Sequence, residues 1–135
     1  MSQEVKIMKG YKNNLEMATQ SNHDFRKVEF TGSHSQLVLM SLKPGEEIGE
    51  EVHEVDQFFR FESGLGKVII DADQYEVADG DAVVVPAGSK HNVINTSKDE
   101  DLKLYTIYSP SQHPDGTVHH TKADADKAEA LEHGA

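Results

Sequence analysis

The stretch GEEIGEEVHEVDQFFRFESG, residues 45–64, carries the pattern from which the fold is predicted. Its first half is acidic and resembles a solvated loop, whereas polar and apolar residues alternate as in a strand from Glu51 onward. Side chains two residues apart in a strand point to the same face. Glu51, His53 and Gln57 are therefore predicted to share a face with Phe59. Polar groups on such an apolar face need a partner there.

The composition favours one small domain with one core. The chain has 135 residues and no cysteine, which excludes disulfides, thiolate metal sites and cysteine nucleophiles. The net charge of −11 disfavours nucleic acid and anionic membranes, because both require a basic surface. No apolar run approaches ~20 residues, and the first residues lack an apolar secretory segment. We therefore expect a cytoplasmic protein without nucleic acid or membrane partners.

Short apolar runs separated by turn residues predict an all-β fold. The runs alternate or are β-branched, and Pro-Gly, Asp-Gly and Asn-Thr-Ser clusters separate them at close spacing. This pattern is typical of a β-sandwich or β-barrel. The predicted strands are residues 34–42, 52–62, 67–78 with a turn at 71–73, 82–86, 91–95 and 102–108, with 5–10 and 25–30 as candidates for two more.

Two segments are predicted to be helical. Residues 13–20 hold a helical turn, and residues 121–134 are rich in Ala, Glu and Lys. Because the apolar side of the second segment is mostly alanine, we predict a weakly anchored helix or a frayed tail. No repeat or linker interrupts the chain, so one domain is predicted over residues 1–135, with a barrel core at about 34–110 and a C-terminal loop and tail at 111–135.

A second stretch, GDAVVVPAGSKHNVIN at residues 80–95, has its own regular spacing. Five residues after its first glycine comes Pro-Ala-Gly, then His91 after two more residues and Asn95 after another three. Together with residues 45–64, it resembles the two motifs of the cupin superfamily, G(X)5HXH(X)3–4E(X)6G and G(X)5PXG(X)2H(X)3N. The second motif matches at every fixed position. The resemblance implies a cupin β-barrel, also described as a double-stranded β-helix or jelly roll.

The first motif matches in spacing but departs from the family at two positions. Glu51 stands where the family has its first histidine, and Gln57 stands where it has a glutamate. The resemblance implies that Glu51, His53, Gln57 and His91 bind one divalent metal ion. This set does not select among zinc, manganese, iron, nickel and cobalt. The alternative is that Glu51 and His53 lie on a solvated strand and His91 in a loop.

The segment LKLYTIYSPSQHPDGTVHHTKADAD, residues 102–126, is similar to small single-domain cupins of the cupin 2 type described as mannose-6-phosphate isomerase-like. The similarity implies a metal-dependent enzyme that acts on a small carbohydrate-like substrate by Lewis-acid isomerisation or a related proton transfer. Two alternatives stay open: an iron-dependent cupin dioxygenase, and a non-catalytic module that binds a small ligand or metal. The family resemblance also implies a homodimer.

The motifs do not supply a catalytic base, and His113 is the one candidate. The Pro-Asp-Gly turn signal that follows it favours an exposed loop. The alternative is that this loop folds over the barrel mouth and offers His113 as an acid or base.

Strand alternation suggests four residues for a substrate pocket, namely Gln36, Met40, Phe59 and Tyr105. Tyr105 and Tyr108 fall on opposite faces of one predicted strand, so one of them faces inward. For Phe59 and the inward tyrosine an ordinary core role is favoured over a substrate contact, and Met40 is compatible with a core role as well.

Overall fold

Ten strands and two helices make up residues 9–132, the range that the computed structural model of the protein describes. Residues 1–8 and 133–135 of the predicted domain lie outside this range. The helices are α1 (Leu15–Ser21) and α2 (Lys122–Glu132). The strands are β1 (Arg26–Thr31), β2 (Gln36–Leu42), β3 (Glu51–Val52), β4 (Asp56–Ser63), β5 (Leu65–Ile70), β6 (Asp73–Ala78), β7 (Ala82–Val85), β8 (Lys90–Asn95), β9 (Leu102–Ser109) and β10 (Val118–His119).

The strands form two antiparallel sheets that pack against each other. The six-stranded sheet has the order β10-β1-β2-β9-β4-β7, and the four-stranded sheet has the order β3-β8-β5-β6. Aliphatic and aromatic side chains from both sheets form one hydrophobic cluster between them. The all-β jelly-roll prediction is confirmed. Neither helix in the described range has the length and apolar character that a membrane-spanning helix needs.

The strand β2 lies in the middle of the six-stranded sheet, and all seven of its residues are buried. One face points into the core, and α1 packs against the other side of β2 and β9. The Asn14 side chain caps α1 by accepting a hydrogen bond from the Met17 N–H at 3.0 Å. After the helix, the Asn22 carbonyl accepts a hydrogen bond from the buried Lys103 ammonium. The helical turn predicted at 13–20 is confirmed.

The strand predicted at residues 52–62 is in fact two strands that belong to different sheets. The strand β3 pairs with β8 in the four-stranded sheet, whereas β4 pairs with β7 and β9 in the six-stranded sheet. Residues 53–55 carry the chain from one sheet to the other. The prediction of one continuous strand is therefore wrong, although alternation does hold along β4, where Gln57 and Phe59 both face the core.

Hydrogen bonds to the turn between β7 and β8 explain this break. The His53 carbonyl accepts a hydrogen bond from the Gly88 N–H at 2.8 Å. The Asp56 carboxylate accepts one from the Ala87 N–H at 3.0 Å. The backbone after β3 therefore bonds to this turn instead of continuing along a neighbouring strand.

The remaining predicted strands within the described range are present, with ends that differ by at most two residues from the prediction. Of the candidate strand at 5–10, residues 5–8 lie outside the described range, and residues 9 and 10 belong to no strand. The strand β10 was not predicted, because two residues are too few to show a pattern. The predicted C-terminal helix is confirmed at residues 122–132, and the last residues of that segment lie outside the described range. Ala125 anchors this helix in the core at 3% exposure, and the Thr121 hydroxyl caps it by accepting a hydrogen bond from the Asp124 N–H.

Gly64, between β4 and β5, is constrained in two ways. Its φ angle is +98°, and a Cβ at this position would lie 2.5 Å from the Asp101 carbonyl oxygen. Gly80 has a similar φ angle of +91°, but no heavy atom of the described chain lies within 4 Å of its Cβ position. Comparing alanine substitutions at the two glycines therefore separates two contributions to stability: the strain of a positive φ angle, which both share, and the steric clash, which only Gly64 has.

We predict that Gly64→Ala lowers the free energy of unfolding by at least about 3 kcal/mol, and Gly80→Ala by about 1 kcal/mol. Both substitutions strain the backbone, but only Gly64→Ala also forces apart two packed segments. Urea denaturation followed by circular dichroism would measure both values. Equal losses in the two variants would contradict the proposed close approach.

Candidate metal centre

Three of the predicted ligands come together on the four-stranded sheet. Glu51 in β3 and His91 in β8 are direct cross-strand partners, and His53 follows β3 by one residue. One potential ligand atom from each of the three residues lies within 4.8 Å of the others. His53 Nε2 lies 3.3 Å from Glu51 Oε1, and the ring centroids of His53 and His91 are 5.4 Å apart.

The His91 imidazole is held with one nitrogen available to a ligand. Its Nδ1 lies 3.1 Å from the Ser89 carbonyl oxygen, which can only accept a hydrogen bond. The hydrogen is therefore on Nδ1, and Nε2 of the neutral ring is an acceptor. Burial lowers the pKa of His91, which keeps the ring neutral. Nε2 is buried and has no hydrogen-bond partner among the described residues, an arrangement that metal-binding histidines commonly have.

The Glu51 carboxylate is the negative charge of the group. Burial by itself raises the pKa of this carboxyl, but the hydrogen bond from His53 and the nearby positive charges outweigh burial and lower it. The side chain is only 13% exposed, so its charge is poorly solvated. A metal ion that binds both Glu51 and His53 must displace the proton that these two side chains share.

Gln57, the fourth predicted ligand, lies in β4 of the opposite sheet. It is 2% exposed, and its Nε2 donates a hydrogen bond to Thr106 Oγ1 at 3.0 Å. Its Oε1 is buried and, within residues 9–132, accepts no hydrogen bond. A buried acceptor without a partner costs about 1–3 kcal/mol. The orphaned Gln57 oxygen and the orphaned His91 nitrogen are two of the four atoms that the cupin resemblance implies as ligands.

These donor types fit a divalent transition metal. Two imidazoles and one carboxylate are common ligands of such ions, and an amide oxygen can complete the set. Each of the two orphaned acceptors has the lone pair that a cation at bonding distance would need, and neither has a partner among the described residues. The set carries one formal negative charge, from Glu51, and does not determine which metal binds.

A cavity of about 270 Å³ lies beside this group. Glu51 and His53 form one side of it, Arg26 and His119 line it from β1 and β10, and His113 lines it from the loop after β9. The helix α2 contributes the remaining wall. The volume lies just below the usual range for ligand sites. A larger groove of about 440 Å³ between β6 and β7 is lined by none of these residues.

The loop after β9 folds over the cavity, so the prediction of an exposed loop is wrong for His113. Gln36 Oε1 accepts hydrogen bonds from the Gln112 and His113 N–H groups at 3.1 and 3.0 Å. Gln36 Nε2 donates to the His113 carbonyl at 2.7 Å. The His113 ring contacts the Tyr108 ring edge-on, with centroids 5.3 Å apart. Burial, aided by the charge of Arg26, lowers the pKa of His113 to about 3.

The four residues predicted for the pocket lie elsewhere. Gln36 anchors the loop instead of lining the cavity. Met40 and Phe59 are fully buried in the core, where the Phe59 ring packs 6.3 Å from the His91 ring.

The prediction that Tyr105 lines the pocket is also wrong. Tyr105 lies on the outer face of β9 beside Phe58, with ring centroids 6.3 Å apart. Alternation along β9 turns Tyr108 inward instead, and it is 1% exposed. The Tyr108 ring lies 5.8 Å from the His53 ring.

Arg26 and His119 were missed from the sequence. The guanidinium donates from Nη1 to His119 Nδ1 at 3.2 Å, and the two residues are cross-strand partners. The alternation of FRKVEF at residues 25–30 could have predicted that Arg26 faces inward, since it places Arg26 on the same face as the apolar Val28. His119 had no such signal, because β10 is too short for a period.

Comparison with known proteins agrees with this fold. The Bacillus subtilis protein YrkC is 52% identical over 123 residues, which cover 86% of this chain and 66% of that protein. A protein of Acanthamoeba polyphaga mimivirus is 42% identical over 109 residues, covering 78% of this chain and 68% of its own length. The chain thus spans about two thirds of these relatives.

The crystal structure of BH2720 from Bacillus halodurans is 46% identical to this chain, with a TM-score of 0.86, and the match covers 88% of this chain and 95% of that one. Residues 38–108, more than half of this chain, match the family described as Cupin domain. The matched region includes the strands that carry Glu51, Gln57 and His91. The chain therefore belongs to the cupin domain family.

Proposed function

We propose that the protein is a metal-dependent enzyme that isomerises a small carbohydrate-like substrate, or moves a proton on it in a related reaction. The observation that carries this proposal is the pair of buried, unpartnered acceptors, His91 Nε2 and Gln57 Oε1. Glu51, His53 and His91 would hold the ion, with Gln57 as the fourth ligand. The similarity to cupins described as mannose-6-phosphate isomerase-like supports the reaction class.

When bound, the ion would polarise a carbonyl or hydroxyl oxygen of the substrate and acidify a neighbouring proton. The cavity beside this position is lined by polar side chains, including several imidazoles, the amide of Gln112 and the guanidinium of Arg26. Such groups suit hydrogen bonding to the hydroxyl groups of a sugar. The cavity volume of about 270 Å³ limits the substrate to a small molecule.

His113 is the residue to which we assign proton transfer. It lines the cavity outside the metal group, and three hydrogen bonds to Gln36 hold its loop in place. Its lowered pKa leaves the ring unprotonated at neutral pH, so it begins as a proton acceptor. Burial raises the pKa of Tyr108, whose phenol therefore stays protonated 3.4 Å from His113 Nε2. A weak base of this kind removes only protons that are already acidic.

A second candidate function is an iron-dependent dioxygenase. Glu51, His53 and His91 provide two histidines and one carboxylate, and their ligand atoms lie within 4.8 Å of one another. This combination is the one that non-haem iron oxygenases use.

We also propose a cytoplasmic homodimer. Val84 on the edge strand β7 is 61% exposed, and Tyr75 on the edge strand β6 is 47% exposed. Both residues line the groove between these strands. Apolar side chains on unpaired edges favour contact with another chain.

We predict that His91→Ala abolishes stoichiometric binding of zinc, manganese or iron(II) while the far-ultraviolet circular dichroism stays native. Gln57→Leu should weaken metal affinity by at least about tenfold, because even outer partners of ligands contribute that much. The measurement is metal content per protein after chelator treatment and reloading. His34→Ala is the control, since His34 is exposed in the turn between β1 and β2 and is not a member of the candidate ligand group. Retained metal in His91→Ala, or a wild-type protein that binds none of these ions, would refute the metal centre.

We predict that the metal-loaded protein catalyses proton exchange on sugar phosphates or uronates. NMR in deuterium oxide would detect exchange at the carbon next to the carbonyl, with the His91→Ala protein as the control. Oxygen consumption by the iron-loaded protein would favour the dioxygenase instead. Ligand binding without exchange or oxygen uptake, whichever metal is loaded, would show a binding module.

We predict that His113 makes folding stability depend on pH. In the unfolded chain its pKa is near 6.5, whereas the folded ring stays neutral until about pH 3. The unfolded state therefore binds more protons in this window, so stability is fully present above pH 6.5 and is lost as the pH falls toward 3.

At pH 4.5 this loss should amount to about 3 kcal/mol. Urea denaturation at pH 7 and pH 4.5 would show a smaller drop in the free energy of unfolding for His113→Asn than for wild type. The exposed His34→Asn variant should behave as wild type. Identical pH dependence in all three proteins would show that His113 is solvated in solution.

A further inference from the structure

Arg26 is a buried cation on the inner face of β1. It is 5% exposed, whereas its neighbour Lys27 is exposed. An arginine keeps its charge at any pH at which the protein is folded, so its burial is costly unless anions or acceptors surround it. The site described above does not use Arg26 as a metal ligand, because a guanidinium has no lone pair to offer.

The partners of Arg26 do not account for its burial. Its Nη1 donates to His119 Nδ1 at 3.2 Å, and its guanidinium carbon lies 5.3 Å from the centre of the Phe25 ring. Its Nε is buried and has no hydrogen-bond partner among the described residues. None of the ion pairs found among the described side chains includes Arg26. The Nε edge of the guanidinium thus lacks the acceptor that a buried arginine needs.

The position of Arg26 connects it to the metal group. It lines the same cavity as Glu51, His53 and His113. Its charge reaches the carboxylate of Glu51 and the ring of His113, and it contributes to the lowered pKa of each. The unsatisfied donor and the candidate ligands therefore face one space.

The charges around the cavity favour an anion. Two carboxylates line the wall: the half-buried Glu51, and Glu129 on α2, which is exposed to solvent. With a divalent cation bound, the positive charge of the ion and of Arg26 exceeds the negative charge of these two residues. The field in the cavity is then opposite in sign to the net charge of −11 of the whole chain.

We propose that Arg26 is an anion-binding residue, and that the ligand of this cavity is a small molecule with a carboxylate or phosphate group. The oxygens of either group can accept two parallel hydrogen bonds from one edge of a guanidinium. This inference deepens the proposed function by naming its substrate class. It rests on that function only for the metal beside the ligand, since Arg26 carries its charge without the metal.

The side-chain NMR signals of the arginines test this assignment directly, because the chain has only two, Arg26 and Arg60. Acetate, inorganic phosphate and acetamide would each be titrated into the metal-free protein. Acetamide matches acetate in shape but carries no charge. We expect acetate or phosphate to shift the Arg26 Nε–H signal to saturation, and acetamide to leave it in place. The anion with the lower dissociation constant identifies carboxylate or phosphate as the preferred group.

Two variants and one control complete the test. Arg26→Gln should weaken binding of the preferred anion roughly tenfold to a hundredfold, because it removes a charged hydrogen-bond donor. Arg26→Lys keeps the charge and should weaken it less. Arg60→Gln should change nothing, since Arg60 is on the outer face of β4 and pairs with Glu62. An Arg26 signal unmoved by both anions, or moved equally by acetamide, would overturn the proposal and leave Arg26 as a structural partner of His119.

The same titration with zinc-loaded protein separates this inference from the proposed function. If the protein binds no zinc but anions still shift the Arg26 signal, only the metal centre is refuted. If zinc binds but anions act equally on wild type and Arg26→Gln, only the role of Arg26 is refuted.

Discussion

The chain crosses between the two sheets at residues 53–55, and this crossing distributes the candidate ligands over both sheets. A single strand would have left Glu51, His53 and Gln57 spread along one sheet. The crossing instead places the first two beside His91 on the four-stranded sheet, with Gln57 on the six-stranded sheet. The bond from the Gly88 N–H to the His53 carbonyl fixes the crossing. The two cupin motifs are therefore coupled through backbone as well as through their side chains.

Three factors determine the protonation states in the site: the burial of its side chains, the negative charge of Glu51 and the positive charge of Arg26. Burial lowers the pKa of His91 and of His113, so both rings are neutral acceptors at neutral pH. The carboxyl of Glu51 stays ionised because its hydrogen bond and the charges around it outweigh burial. Arg26 is charged in any case. The result is a site that combines the neutral rings of His91 and His113 with the negative charge of Glu51 and the positive charge of Arg26, in which a metal ion and an anionic ligand would satisfy different groups.

The strands and the motif ligands could be predicted from patterns of neighbouring residues. The placement of side chains that depends on contacts between distant parts of the chain could not. Alternation located the strands, and motif spacing selected Glu51, His53 and His91, whose ligand atoms lie together. Alternation could not tell which face of β9 looks inward, so Tyr105 was chosen although Tyr108 faces the site. The His113 loop is held by Gln36, 77 residues away in sequence, and Arg26 binds His119 at a separation of 93. No local period encodes such contacts.

The two departures from the family motif together move the carboxylate from one ligand position to another. The family pattern has a glutamate where this chain has Gln57, and a histidine where it has Glu51, so the number of carboxylates in the set is unchanged. At position 57 the side chain is 2% exposed, whereas the Glu51 side chain is 13% exposed and borders the cavity. Desolvating a charge costs more than desolvating an amide. Placing the carboxylate at 51 therefore puts the charge where water, His53 and Arg26 can stabilise it, and leaves a neutral oxygen in the core.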